Sequence, residues 1–74
     1  MDVRKVVGAN VRRFRKQRRL TQEQFAVKCG FSQQYLSALE RGRRNPTILT
    51  IYELASALGI SHVELVRPRP SRSR

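Results

Sequence analysis

The sequence contains no tryptophan, one cysteine, one histidine and five acidic residues. Cys29 alone cannot close an internal disulfide, which fits a reducing compartment and points to the cytoplasm. His62 has no second histidine, cysteine or paired carboxylates near it, so a bound metal is not expected. Five carboxylates and one imidazole leave little from which to build acid–base chemistry. No nucleophile–base pair, glycine-rich phosphate loop or carboxylate dyad is present. The expectation is a protein that is not an enzyme and holds no cofactor or small-molecule ligand. No stretch of 18 consecutive apolar residues exists to span a membrane, and the opening residues lack the apolar run of a secretion signal. Alternating apolar and polar runs bounded by turns are missing as well, so no strands are expected.

What is present in excess is positive charge. The 74-residue chain has 16 Lys and Arg and a formal net charge of +11. Such a balance favours a polyanionic partner, nucleic acid before a membrane surface. The charge sits at the ends. Residues 1–20 carry eight basic residues and one acid, residues 21–66 four of each, and residues 67–74 (RPRPSRSR) four arginines and no acid. The middle is a balanced body, and 39% hydrophobic residues suffice to fold it. Two domain-level regions follow: a folded body over 1–66 and a flexible basic tail over 67–74. The tail lacks apolar side chains and is kept extended by its prolines. It is either a solvated end or an arm that touches phosphates.

Helix signals divide the body. Val3, Val7, Val11 and Phe14 recur at helical spacing, with Arg12, Arg13 and Lys16 opposite. Thr21 followed by Gln24 reads as a capping box, and Leu20 with Phe25 as a hydrophobic staple. Ser32 is a second helix start, Pro46-Thr47 a third. Ser61 with Glu64 repeats the capping-box pattern. Gly30, Gly42 and Gly59 fall where helices should stop. The spacing predicts an all-α fold of five helices, at about 2–18, 22–29, 33–41, 48–58 and 62–66. Cys29 falls on the packed face of the second helix, as a small core residue. The second and third helices are short and separated only by Gly30, Phe31 and Ser32, the spacing of a helix-turn-helix. Ala26 occupies their expected crossing.

A wider pattern surrounds that spacing. Val7-Gly8, Val11-Arg12, Phe14-Arg15, then Leu20-Thr21-Gln22-Glu23 with Phe25-Ala26, then Ser32, Tyr35-Leu36-Ser37, Leu39-Glu40-Arg41-Gly42, Arg44 and Pro46-Thr47, then Leu54-Ala55 and Leu58-Gly59-Ile60-Ser61 together resemble the Cro/repressor-type, or XRE, helix-turn-helix family. The resemblance implies a five-helix lambda-repressor-like domain that binds double-stranded operator DNA as a homodimer and regulates transcription. One position departs from the family. Glycine often precedes the Leu-Thr-Gln run, and here it is Arg19. Either Arg19 adopts a strained turn or the first helix ends differently.

Roles follow by position. In a helix-turn-helix the second helix of the pair, here the third of the chain, lies in the major groove with its first residues against base edges. Gln33 and Gln34 begin that helix, and a glutamine amide matches the N6/N7 edge of adenine. The resemblance places Gln33, Gln34 and Ala38 at base-reading positions; Ser37 shares their face. It gives Gln22 a phosphate and a bracing contact to the recognition helix. Arg41, Arg43 and Arg44 are expected along the phosphates, with two or three of Arg12, Arg13, Lys16, Arg18 and Arg19. Tyr35 is left between a phosphate or base contact and ring packing. Arg15 and Glu40 match an ion pair that ties the first helix to the third. Val63 and Val66, with part of the fourth helix, are expected to face a dimer partner, while Ile60 and Leu65 serve the core. Two other roles remain open at this point. One is an antitoxin that also binds a toxin protein. The other is a basic nucleic-acid-associated factor without sequence preference.

Overall fold

The computed structural model describes residues 2–69; the expected tail over 67–74 lies partly outside them. The chain forms α1 (Val3–Gln17), α2 (Gln22–Cys29), α3 (Gln33–Glu40), α4 (Ile48–Leu58) and α5 (His62–Val66), with no strand among the described residues. Three of the five expected spans hold to the residue. α1 and α3 are shorter than 2–18 and 33–41. Asp2 is the cap of α1, and Arg18 and Arg41 bond back to the preceding turn while leaving helical geometry themselves.

The helix starts follow from their caps. The Asp2 carboxylate accepts the Arg4 backbone N–H at 3.0 Å, and its side-chain bond to Arg4 holds it below the usual carboxylate range. Thr21 and Gln24 form the reciprocal capping box, at 3.0 and 2.9 Å. Ser32 and Thr47 each accept the N–H three residues on. The capping box expected at Ser61 is not formed. Ser61 Oγ takes the Val63 N–H instead, and the Glu64 carboxylate turns to Arg67 Nη1 at 3.5 Å. α5 is only five residues long, and its third position is already near the exit.

The core draws on every helix: Val7 and Val11, Phe25 and Ala26, Leu36 and Leu39, Leu54, Ala55 and Leu58, and Leu65. The apolar stripe expected on α1 starts later than read. Val3 is 57% exposed because the first turn overhangs the body, whereas Val7 and Val11 are fully buried. Cys29 and Ile60 pack against the core from half-buried positions. Burial pushes the Cys29 thiol above its ordinary range, so it stays protonated and a poor nucleophile near neutral pH.

α1 runs across α3, α4 and α5, while α2 packs on α3 and α4. Two polar side chains on α1 tie down its neighbours. Asn10 is buried, and its Nδ2 donates to the carbonyls of Leu65 (2.9 Å) and Arg67 (3.0 Å). These are C-terminal carbonyls of α5, which lack partners within the helix. Arg18 Nε donates to the Leu58 carbonyl at 2.5 Å, doing the same for α4.

α1 ends in a left-handed residue, and that residue is Arg19, with φ 59°. The Arg19 N–H donates to the Lys16 carbonyl (2.9 Å) and the Leu20 N–H to the Arg15 carbonyl (3.2 Å), the two bonds of a Schellman motif. So the helix ends as glycine would end it, with a side chain accepting the strain. A left-handed non-glycine residue costs roughly 1–2 kcal/mol. Arg19→Gly should therefore raise stability, by up to about 1 kcal/mol after the extra chain entropy of glycine. Thermal unfolding should show Tm higher by several degrees, about 4–8 °C per kcal/mol at this size. An unchanged or lower Tm would mean that the turn is not strained.

Candidate nucleic-acid interface

The turn between α2 and α3 is built on Gly30, whose φ of 81° any side chain would strain. The Ala26 carbonyl accepts both the Gly30 and Phe31 N–H groups, at 2.9 and 3.1 Å. Ala26 itself is buried, and its small side chain lets the two helices approach. Ser32 then opens α3. Gln33 and Gln34, its first two residues, are exposed, and Ser37 and Ala38 are half-buried behind them. Gln33, Gln34, Ser37, Gln22 and Arg41 line one open concavity of about 360 Å³. The expected base-reading and bracing positions thus share a surface, with Ala38 just outside the lining. Arg41, Arg43 and Arg44 are all exposed after α3.

Beneath this surface lies a buried charge pair. Arg15 Nε donates to Glu40 Oε2 at 2.6 Å and Arg15 Nη2 to Oε1 at 3.0 Å, a bidentate arrangement. Arg15 Nη1 donates to the Leu20 carbonyl at 2.7 Å. Gln22 Nε2 donates to Glu40 Oε1 at 3.1 Å. Both charged side chains are at most 9% exposed. One network therefore joins α1, the turn after it, the first residue of α2 and the last residue of α3. An amide nitrogen carries two N–H donors, so the bond from Gln22 to Glu40 leaves one for a ligand.

The cations expected near the end of α1 differ in how they are held. Arg12, Lys16, Arg18 and Arg19 are exposed. Arg13 lies over the Phe14 ring, 4.4 Å from its centroid, and donates to Asn10 Oδ1. Arg18 is held by the Leu58 carbonyl. Tyr35 packs its ring on Phe31, with centroids 5.3 Å apart, and lies under Arg44. Pro68 and Arg69 line a second concavity with Lys5, Val6, Ala9, Asn10 and Arg13. It shares no residue with the first, and it is where the chain leaves α5 to run beside α1.

Val63 and Val66 are 43% and 40% exposed, and Ile48, Leu49 and Tyr52 of α4 are exposed as well. The Tyr52 and His62 rings stack at 4.3 Å between α4 and α5. Among the described residues no group of three or more His, Cys, Asp or Glu could hold a metal, and no helix is long and apolar enough to cross a membrane.

A helix-turn-helix family model matches residues 11–65. The chain belongs to the Cro/repressor-type helix-turn-helix family. An uncharacterised HTH-type transcriptional regulator, y4dJ of Sinorhizobium fredii, is 66% identical over 68 residues, 92% of this chain and 88% of that protein. Among solved structures, the hypothetical transcription factor NHTF from Neisseria superposes with a TM-score of 0.87 at 39% identity, covering 90% of this chain and 77% of its own. The restriction–modification controller protein C.Esp1396I, solved as a tetramer with its natural 35-base-pair operator, gives a TM-score of 0.79 at 28% identity, over 88% and 86% of the two chains. This chain is a helix-turn-helix type transcriptional regulator.

Three residues on or next to α1 have structural roles that the sequence reading did not give them. Asn10 had no role there, Arg18 stood only among the candidate phosphate contacts, and Gly8 only in the family pattern. A Cβ on Gly8 would lie 2.2 Å from the Leu39 carbonyl oxygen and 2.9 Å from that of Glu40. α1 thus touches the last turn of α3 with no space for a methyl group. Glycine inside a helix is about 1 kcal/mol worse than alanine on propensity alone, which is the signal that marks such a contact. Gly8→Ala should therefore destabilise rather than stabilise. The expected loss is about 1–3 kcal/mol, as for overpacking elsewhere, because the obstacle is backbone. Urea unfolding should show a lower midpoint with an unchanged slope. A gain of stability would show that α1 and α3 are not in backbone contact.

Proposed function

We propose that this regulator binds operator DNA as a homodimer, with α3 in the major groove and without a small-molecule effector. One observation carries the reading. Gln33 and Gln34 stand exposed at the front of α3, in one concavity with Gln22 and Arg41. Neutral amides there suit base edges, and adenine best. Arg41, Arg43 and Arg44 supply charge for the backbone, which positions the protein without reading sequence. Gln22, at the first turn of α2, has a helix N-terminus beside it for a phosphate. The C.Esp1396I complex supports the reading, since that relative was solved with its operator.

A single α3 of eight residues reaches few base pairs. Pairing through Val63 and Val66, with Ile48, Leu49 and Tyr52 contributing apolar area, would place two such helices on one duplex. Half-sites should then lie roughly 34–36 Å apart, one turn of DNA. Residues 1–66 form the DNA-binding body in this reading. The basic residues from 67 onward add positive charge to it.

Selection of sites from random DNA should return a two-fold symmetric sequence with that spacing. Gln33→Ala or Gln34→Ala should then cost about 1–3 kcal/mol at the selected site for each bidentate amide–base pair removed, leaving non-specific binding nearly unchanged. Arg43→Ala should weaken binding to every sequence alike and lower the salt slope by about one. Base reading by the glutamines would be refuted if Gln33→Ala left the ranking of operator variants as it was.

A further inference from the structure

By helical spacing α3 has two flanks. Gln33, Ser37 and Glu40 lie toward Gln22, while Tyr35 and Ala38 lie on the other side. That other flank carries a stack of three side chains. Phe31, in the turn, packs on Tyr35 with ring planes inclined by 37°. The Arg44 guanidinium carbon lies 4.9 Å from the Tyr35 ring centroid, within cation–π range. Arg44 comes from the segment after α3 and folds back over the helix toward its start. Tyr35 is a firm base for it. Its backbone N–H is held by the Ser32 cap at 3.0 Å, and its ring is half-buried against the core.

We propose that Tyr35 is a positioning residue for DNA: its ring holds Arg44 as a preformed phosphate clamp on the flank of α3 away from Gln22. The proposal rests on the DNA-binding reading above and adds how one of its cations is aimed. An exposed arginine loses much rotamer freedom when it grips a phosphate, and restraint before binding removes part of that loss. The flat guanidinium suits the role, since it can stack on a ring and still direct N–H groups outward in its plane. With Gln22 on one flank and Arg44 on the other, α3 would be gripped from both walls of the groove. The phenol oxygen has no part in this arrangement, which is what makes it testable.

The test compares Tyr35→Phe, Tyr35→Leu, Arg44→Ala and the double variant Tyr35→Leu/Arg44→Ala, each titrated with the selected DNA site and with unrelated DNA at several salt concentrations. Tyr35→Phe should bind as the parent does, with the same salt slope. Tyr35→Leu should weaken both DNAs by roughly two- to fivefold, the factor expected for removal of an exposed cation–π interaction. The double variant should bind no more weakly than Arg44→Ala. Should Tyr35→Leu fail to fold, Arg44→Lys with the rings intact should show the same two- to fivefold loss. NMR of the free protein gives a readout without DNA: the Arg44 side-chain protons should be shifted upfield by the ring in the parent and in Tyr35→Phe. The proposal is overturned if Tyr35→Phe loses as much as Tyr35→Leu, if the two losses add in the double variant, if Arg44→Lys binds like the parent, or if the upfield shift is missing. A parent protein that shows the shift yet binds no DNA would defeat the DNA-binding reading, and this role with it. A parent that binds DNA while Tyr35→Leu binds equally well would defeat only this role.

Discussion

The bidentate pair between Arg15 and Glu40 is the interaction on which the rest of the structure depends. Two buried charges are costly to desolvate, and they are tolerated only when geometry and further hydrogen bonds compensate. Here they do. Glu40 receives three N–H groups, two from Arg15 and one from Gln22, and Arg15 gives its remaining contact to the Leu20 carbonyl. The pair occupies the one place where α1, the turn to α2, the start of α2 and the end of α3 converge. Apolar packing there would stabilise the body at least as well. What the ions add is direction. A fork-shaped donor on a planar acceptor fixes the rotation of α3 relative to α1, and with it the direction in which Gln33 and Gln34 face.

The same demand for a fixed α3 explains the close contacts around it. Gly8 lets α1 sit directly on the carbonyls of Leu39 and Glu40. Gly42, with φ 76°, ends α3 in a left-handed turn and also lies against Lys5, where a Cβ would come within 2.8 Å of Cγ. The two glycines therefore clear space from both elements of the one contact between α1 and the end of α3. Asn10 in the middle of α1 and Arg18 at its C-terminus satisfy carbonyls at the ends of α5 and α4. A body of this size has a thin apolar core, and these polar ties between helix ends hold its geometry where apolar area is short.

Much of this was legible in the residues. Helix starts were readable because Thr21, Ser32 and Thr47 announce themselves locally, and the all-α fold and its family were readable because the apolar spacing and turn residues agree along the chain. Where the reading failed, the deciding force was not local. Val3 fits the period of α1 yet is exposed, since periodicity cannot say where the body ends. Glu64 fits a capping box yet turns to Arg67, since α5 is too short to need it. Arg19 was ambiguous because two backbone bonds, invisible in sequence, decide in favour of the left-handed turn. Asn10, Arg18 and the reach of Arg44 back to Tyr35 involve partners from 9 to 57 positions away, and no local pattern encodes them.

A double-mutant cycle on the central pair, read by urea unfolding of Arg15→Met, Glu40→Leu and the two combined, tests directly whether buried charge pairing holds α3 in place. Each single variant leaves one buried ion without its partner and should lose about 3–5 kcal/mol. The combined variant should lose clearly less than the two losses added together, because no charge is left alone. Losses near ~0.5 kcal/mol that simply add would contradict it, since that is how a solvated surface pair behaves.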